Sequence, residues 1–161
     1  MPNFKTSTFA PPFGINFPPK GGIMQTKIIK LIPPELIGGK TYYADSDGNI
    51  LNKHGRICKP QLSPFSRKYT PECHGAYPQV HIAGKRRNVH ILVCTAFWGP
   101  RKPGQHCHHF DGNKFNNRPT NLIFLDPEEH HRFDRAMRAG KIFQRSLTDP
   151  TDWDFTHHCE I

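Results

Sequence analysis

Acidic residues are scarce in the middle of this chain. Between Leu51 and Phe110 there is one acid, Glu72, against ten Lys and Arg residues. A positive field of this strength attracts polyanions, of which nucleic acid is the usual one, although a basic surface kept for solubility is the alternative. The cations of this stretch are Lys53, Arg56, Lys59, Arg67, Lys68, Lys85, Arg86, Arg87, Arg101 and Lys102.

Long apolar runs and paired cysteines are also missing. No apolar run approaches the ~20 residues that a membrane-spanning helix needs, so we expect no membrane partner. The 5 cysteines are scattered and odd in number, and none forms a CxxC pair, which disfavours a disulfide-built secreted domain. With 35% hydrophobic residues, 16 Pro and 13 Gly, the chain is expected to form a compact, loop-rich fold with a small core.

The two ends of the chain lack a secondary-structure period. We predict a poorly ordered extension over residues 1–38 and a tail over residues 141–161, on either side of two small structured parts, 39–98 and 99–140. Lys20-Gly21-Gly22 precedes Met24 and can be encoded by a purine-rich run similar to a bacterial ribosome-binding site. We therefore expect the native product to start at Met24.

Hairpin signals dominate the first structured part. TYYADSDGNIL places apolar runs on both sides of a turn, and YPQVHIAGKRRNVHILV repeats the arrangement. In the second hairpin Val80 and Ile82 alternate, Ala83 and Gly84 can turn, and Val89, Ile91 and Val93 return. A short helix is expected over residues 92–97. This part is predicted to be a small β-rich module.

The second part predicts the order strand, long loop, strand, helix. GQHCHHF and LIFL are the strand candidates, and FDGNKFNNRPT is the loop, in which Asn116 and Asn117 are expected to set left-handed turns. Asp126, Pro127 and Glu129 form a strong helix start, with the helix ending near Ala139. The fold class is therefore α+β: a small β module followed by a ββα finger.

The histidines of this finger suggest a divided site. His130 shares a helix face with Phe133 and Met137, whereas His131 is rotated about 100° away, so His130 is predicted to point inward. His108 and His109 are neighbours on a strand and point to opposite sides. One of this pair can bind a metal with His130, and the other can act as a general base, because a free imidazole has a pKa near ~6.5.

Several motifs in this order resemble the HNH endonucleases, and most closely their phage and intron homing branch. The chain has VHILVCTAF at residues 89–97, DGNKFNN at 111–117 and NLIF at 121–124, within HCHHFDGNKFNNRPTNLIFLDPEEHHR. Upstream, TYYADSDGNILNKHGRICKP is similar to a degenerate copy of the β module that precedes the nuclease in that family. The resemblance covers roughly residues 42–138 and implies a ββα-metal finger.

The resemblance also implies roles at matching positions. His109 falls on the general base, and Asn121 falls on the Asn that braces the loop and orients that base. His108 and His130 fall on the two metal ligands. The implied reaction is DNA phosphodiester hydrolysis with one divalent metal ion, leaving 5′-phosphate and 3′-hydroxyl ends.

Metal identity and partners follow as expectations. The family resemblance implies Mg²⁺, but two imidazoles favour Zn²⁺, Ni²⁺, Co²⁺ or Mn²⁺. The expected partner is double-stranded DNA, bound by a cytoplasmic monomer in a bacterial or phage-infected cell. The alternatives are a DNA-binding module whose metal is structural and a non-specific toxin or defence nuclease. The predicted DNA contacts are the cations at a hairpin tip and two in the loop: Lys85, Arg86, Arg87, Lys114 and Arg118.

Overall fold

The computed structural model describes residues 27–62, 77–141 and Leu147. The predicted start at Met24, the disorder expected before residue 27 and most of the predicted tail lie outside these residues. The described part confirms the α+β class: it contains eight strands in three small antiparallel sheets, and two α-helices. Neither helix is long and apolar enough to cross a membrane.

The elements follow one another in short pieces. The first sheet contains β1 Ile29–Leu31, β2 Tyr42–Asp45 and β3 Ile50–Asn52, and the second contains β4 Gln61–Leu62, β5 Pro78–Ile82 and β6 Lys85–Asn88. Helix α1 spans Val89–Trp98, the third sheet contains β7 His106–His109 and β8 Leu122–Leu125, and helix α2 spans Pro127–Arg138. Short 3-10 turns lie at Pro34–Ile37 and Pro119–Asn121.

The first sheet confirms the predicted β2–β3 hairpin and moves the start of the β module. Strand β1 pairs antiparallel with β2, Ile29 lying opposite Asp45. Ile32 and Ile37, which flank the 3-10 turn, are fully buried in the core. The predicted boundary at residue 38 therefore lies too late for the described residues, because two buried isoleucines anchor a stretch whose prolines interrupt the strand pattern.

The second hairpin forms with a different return strand from the one predicted. Polar residues Lys85–Asn88 pair with β5, and the chain turns at Ala83 and Gly84, both with positive φ. The expected return through Val89, Ile91 and Val93 is wrong, because Val89 already starts α1. This helix is buried on most sides, so its apolar residues carry no one-sided helical period and resemble a strand in sequence.

Helix α1 is the centre of the packing. It contacts strands of all three sheets. Its residues Val93 and Cys94 share one core cluster with Ile50 and Val80 of the β module and with Leu122 of β8. The indole Nε1–H of Trp98 also donates to the carbonyl of Pro119 at 2.9 Å. The predicted division at residues 98 and 99 is thus not a gap in the core.

The predicted strand, loop, strand and helix of the finger are confirmed. Strand β7 pairs with β8, and α2 packs against both. A capping box starts α2, since Glu129 N–H donates to Asp126 Oδ1 and Asp126 N–H donates to Glu129 Oε2, each at 2.9 Å. Buried Phe133 and Ala136 join Phe110 and two β8 residues in a second, smaller core cluster.

Candidate active site

Strand β7 directs its two adjacent histidines to different surroundings. The ring of His108 packs against His130 and Phe133 of α2, with ring centroids 4.8 Å apart in both cases. The ring of His109 instead lies 5.3 Å from that of His90 in α1. The pleat of one strand thereby creates two separate sites, as the alternation of β7 predicted.

The α2 side of β7 brings two imidazole nitrogens together. Nδ1 of His108 lies 3.1 Å from Nε2 of His130. Two nitrogens that each lie 2.0–2.1 Å from one ion are about 3.0–3.4 Å apart, so this pair fits a shared divalent metal. His130 faces this site and His131 is exposed, which confirms the helix register predicted from Phe133 and Met137.

Asp134 completes this cluster. Its Oδ2 lies 3.4 Å from Nδ1 of His130, one helical turn away. Ligand atoms of His108, His130 and Asp134 all lie within 4.8 Å of one another. A carboxylate that accepts from Nδ1–H leaves the lone pair of His130 on Nε2, the nitrogen that faces His108. Asp134 therefore prepares His130 as a metal donor and also adds an oxygen donor within reach.

Burial keeps His108 ready to bind a cation. It lowers the pKa of His108 to about 4, with a further contribution from His130, while Asp134 acts in the opposite direction. The ring is therefore neutral at pH 7. A metal ion binds neutral imidazole, so no proton has to leave His108 near neutral pH.

The α1 side of β7 forms an enclosed pocket around His109, whose side chain is buried. The ring of Tyr77 lies 6.3 Å from that of His109 and 4.6 Å from that of His90. Nε2 of His109 lies 3.2 Å from Oδ1 of Asn117. His109 therefore has aromatic walls and one defined polar partner.

Asn117 determines which nitrogen of His109 carries the proton. Its Nδ2–H donates to the carbonyl of Phe115 at 3.4 Å, which turns Oδ1 towards His109. An amide oxygen only accepts, so Nε2 is the protonated nitrogen and Nδ1 holds the lone pair. The left-handed turns expected at Asn116 and Asn117 are wrong: among the described residues Ala83 is the one non-glycine with positive φ. The hydrogen bonds of the loop, rather than unusual backbone angles, give it its shape.

Both histidines of this pocket are held neutral. Burial lowers the pKa of His109, while its hydrogen bond to Asn117 and the charge of Asp111 act in the opposite direction. Burial lowers the pKa of His90 to about 3, with smaller contributions from His109 and Lys114. A neutral His109 with a free lone pair can accept a proton at neutral pH.

Asn121 bridges the two ends of the loop between β7 and β8. Its Oδ1 accepts from the backbone N–H of Asp111 at 3.0 Å, and its Nδ2 donates to Asp111 Oδ1 and to the carbonyl of Asn116, each at 2.8 Å. Asn116 Nδ2 also donates to Asp111 Oδ2. This network fixes the loop next to His109, which is the place predicted for Asn121.

The three cations of β6 do not share one face. Arg86 lies opposite His81, which is exposed, whereas Arg87 lies opposite buried Val80 and Lys85 opposite buried Ile82. Arg86 therefore projects from the outer face of the sheet. Lys85 is exposed next to the turn, and Arg87 is half-buried. The predicted three-cation tip is thus divided between two directions.

The two loop cations occupy different positions relative to His109. Nζ of Lys114 lies 4.5 Å from the centroid of the Tyr77 ring, in a cation–π contact at the edge of the base pocket. Arg118 is exposed and precedes the 3-10 turn that contains Asn121. Lys114 is therefore the predicted DNA contact that the structure brings near the candidate base.

Sequence reasoning missed three residues of the site. Asp134 had a usable signal, because it lies one helical turn after His130 and so on the same face. Tyr77 and His90 had none, because only the tertiary fold brings them to His109. Cys107, by contrast, points away from the cluster of His108, its thiol lying 3.8 Å from the carbonyl of His90.

The family comparison agrees with this geometry. Residues 87–132 match the model of a family described as HNH endonuclease. A stretch of 26 residues is 69% identical to the B-type subunit of DNA gyrase from Synechocystis sp. (strain ATCC 27184 / PCC 6803 / Kazusa), covering 16% of this chain and 2% of that protein. A solved structure described as DNA binding and cleavage by the HNH homing endonuclease I-HmuI is 26% identical, with a TM-score of 0.47, over 65% of this chain and 57% of that one.

Proposed function

Residues 87–132 belong to the HNH endonuclease family, and from this premise we propose that the protein is a metal-dependent DNA endonuclease. The matched segment contains His108, His109, Asn121 and His130. The observation that carries the proposal is the division of β7, which directs one histidine to a paired metal-binding nitrogen and the next to a pocket suited to a base. A purely structural metal finger has no need of the second arrangement.

We assign metal binding to the cluster on the α2 side. His108 through Nδ1 and His130 through Nε2 would hold the ion, and Asp134 would orient His130 or add a carboxylate oxygen. When bound, a divalent ion supplies charge that stabilises the scissile phosphate and the oxygen that leaves it. Two imidazoles favour Zn²⁺ or Ni²⁺, whereas the carboxylate and remaining water positions also accommodate Mg²⁺ or Mn²⁺.

His109 would act as the general base. Its Nδ1 would take a proton from the water that attacks the phosphorus. The Nε2–H would stay bound to Asn117 Oδ1, so the ring keeps its orientation as it becomes positively charged. Asn121 would hold the loop that carries Asn117 by tying Asp111 to Asn116. The expected products have 5′-phosphate and 3′-hydroxyl ends.

The basic residues would bind the DNA backbone. Lys114, at the edge of the His109 pocket, is placed to contact a phosphate near the cut. Arg86 and Lys85 would contact phosphates further away, and Arg118 would add a contact from the exposed side of the loop. We propose double-stranded DNA as the substrate and a monomer as the active form, and the motifs at residues 89–97 and 111–117 support an enzyme of the homing type.

A plasmid assay tests this function. Purified full chain is incubated with supercoiled plasmid and Mg²⁺, Mn²⁺, Ni²⁺, Co²⁺ or Zn²⁺ in turn, with EDTA as the control. We expect nicked or linear DNA with at least one metal and none with EDTA. Ligation without prior end repair would verify the 5′-phosphate. Tight DNA binding without cleavage under every metal condition would instead support a catalytically inactive binding module.

A further inference from the structure

The N-terminal β module reaches the loop of the candidate active site at Gly48. This glycine lies in the turn between β2 and β3 and has φ +85. A Cβ added to it would lie 2.4 Å from both the carbonyl carbon and oxygen of Asn117, and 2.8 Å from the backbone N of Arg118. No side chain fits in that space, so the backbone of the turn lies directly against the backbone of Asn117.

Asn117 joins this contact to His109. On one side its backbone touches Gly48, and on the other its Oδ1 accepts from Nε2–H of His109 at 3.2 Å. Its second amide group is used as well, since Nδ2 donates to the carbonyl of Phe115. The side chain is 7% exposed. Asn117 is therefore held at its backbone and at both ends of its amide.

The turn that supports Asn117 is itself rigidly built. Asp45 is buried, and its carboxylate accepts from the backbone N–H of Asp47 at 3.0 Å and of Asn49 at 2.8 Å, and from Asn49 Nδ2 at 3.1 Å. Gly48 N–H also donates to the carbonyl of Asp45 at 3.0 Å. A turn with this many internal bonds resists displacement and can act as a fixed support.

We propose that Asn117 is a positioning residue for the cleavage reaction, and that the Gly48 turn keeps it in place. Asn117 would select the Nε2–H tautomer of His109 and fix the direction of its Nδ1 lone pair, and Gly48 would prevent the loop from moving away. The β module would then contribute to catalysis as well as to DNA binding. The inference rests on the proposed function, because it assigns His109 as the base.

Substitutions at Asn117 separate positioning from packing. Asn117→Leu has a similar size but no acceptor, whereas Asn117→Asp retains the acceptor oxygen. We expect Asn117→Leu to lower kcat by about 100-fold, the scale of a misplaced reacting group, with KM and DNA affinity changed less than about threefold. Asn117→Asp should stay within about tenfold of the wild-type kcat. Equal losses in the two variants, or a Leu variant within threefold of wild type, would overturn the proposal.

A pair of glycine variants tests the support from the β module. Gly48→Ala and Gly39→Ala introduce the same side chain at positive φ, but nothing lies within 4 Å of a Cβ at Gly39. Both variants carry the backbone strain of a left-handed alanine. We expect only Gly48→Ala to lower kcat, by at least tenfold, with DNA affinity retained. A kcat equal to wild type in Gly48→Ala, or an equal fall in Gly39→Ala, contradicts the role of the turn.

NMR of the wild-type ring provides a test that requires neither activity nor a mutant fold. In ring-¹⁵N-labelled protein, the proposal requires His109 to be protonated at Nε2 and unprotonated at Nδ1. The opposite tautomer, or a rapid mixture of both, would overturn it even if every variant failed to fold. Failure of the proposed function is seen separately, as a wild-type protein that does not cleave plasmid under any metal condition.

Discussion

His108 and His130 meet nitrogen to nitrogen at 3.1 Å although 22 residues separate them in the chain. One stands on β7 and the other on α2, so the pair exists only while the helix is docked on the β7–β8 hairpin. A metal that binds both nitrogens would stabilise that docking, because ligand binding to the folded state adds to its stability. The cluster therefore links metal binding to the integrity of the finger.

His130 and His131 provide a matched pair of neighbouring positions. We expect His130→Ala to weaken metal binding and reduce cleavage far more than His131→Ala, because His130 faces His108 and His131 is exposed. Isothermal titration with Ni²⁺ or Zn²⁺ and a plasmid assay measure the two effects. A larger loss for His131→Ala would show that α2 is rotated in the working enzyme.

Asp134 is expected to adjust metal affinity through His130. Asp134→Asn should weaken metal binding by about 10–100-fold, the usual effect of removing a carboxylate that orients a histidine ligand. Glu128→Gln is the control, since it removes an acid from an exposed position of the same helix. Metal titrations that find the two variants equal would remove Asp134 from the site.

His109→Ala should abolish cleavage and leave DNA affinity nearly unchanged. A general base contributes about 10²–10⁴-fold to a rate, and His109 is buried in its own pocket away from the metal cluster. Single-turnover cleavage and an electrophoretic binding assay measure the two quantities. His54→Ala, at an exposed position of the β module, is the control. Cleavage by His109→Ala within a few-fold of wild type would show that His109 is not the base.

His90 should make the metal-free protein less stable in acid. Its pKa in the folded state is lowered to about 3 by burial, so between pH 6.5 and 3 the unfolded chain binds a proton that the folded chain does not. Stability is therefore present above pH 6.5 and decreases as the pH falls. His108, with its pKa lowered to about 4, and His109 act in the same direction. Tyr77, His109 and Lys114 are the titratable groups around the His90 ring.

His90→Phe isolates this contribution, because it retains an aromatic ring and removes the proton site. Urea titrations in EDTA at several pH values should give a stability slope shallower by up to about 1.4 kcal/mol per pH unit, the value for one proton. His131→Phe, at an exposed position, should leave the slope unchanged. An unchanged slope in His90→Phe would mean that His90 is already charged or exposed in the folded protein.

Arg86 should contribute to DNA binding as a phosphate contact. Arg86→Ala is expected to reduce the slope of log affinity against log salt by about 0.9, and neutralising Lys85, Arg86 and Arg87 together should reduce it by up to about three. Lys30→Ala removes one exposed charge from a different sheet and serves as the control. A salt titration with the same slope for wild type and the triple variant would exclude this strand from the interface.

The finger could be predicted from sequence because its signals are local. The capping box of Asp126 and Glu129, the face shared by His130 and Phe133, and the alternation of His108 and His109 all depend on spacing within one element. Those spacings predict the strand–loop–strand–helix order and the face on which His130 lies. The resemblance to the HNH family then supplies roles for the same positions, and the family match over residues 87–132 agrees with it.

The remainder of the site could not be predicted because it depends on tertiary contacts. His90 enters the base pocket from α1, a helix so buried that its sequence has no amphipathic period and resembles a strand in part. Gly48 meets Asn117 across 69 residues of chain, and no local pattern reports that contact. Arg86 and Arg87 separate for a simpler reason: the sequence predicts their hairpin but places its return strand four residues too late.

The position of α1 has a consequence for how this nuclease can be reused. Leu122 of the finger belongs to the same core cluster as Val93 of α1 and Ile50 of β3, and Trp98 is hydrogen-bonded to Pro119. The finger is therefore not a portable cassette: a fusion that carried only residues 99–141 would expose the apolar side of β8 and lose the support under Asn117. An engineer who wants to change the target of this enzyme must graft new binding segments onto the whole of residues 27–141.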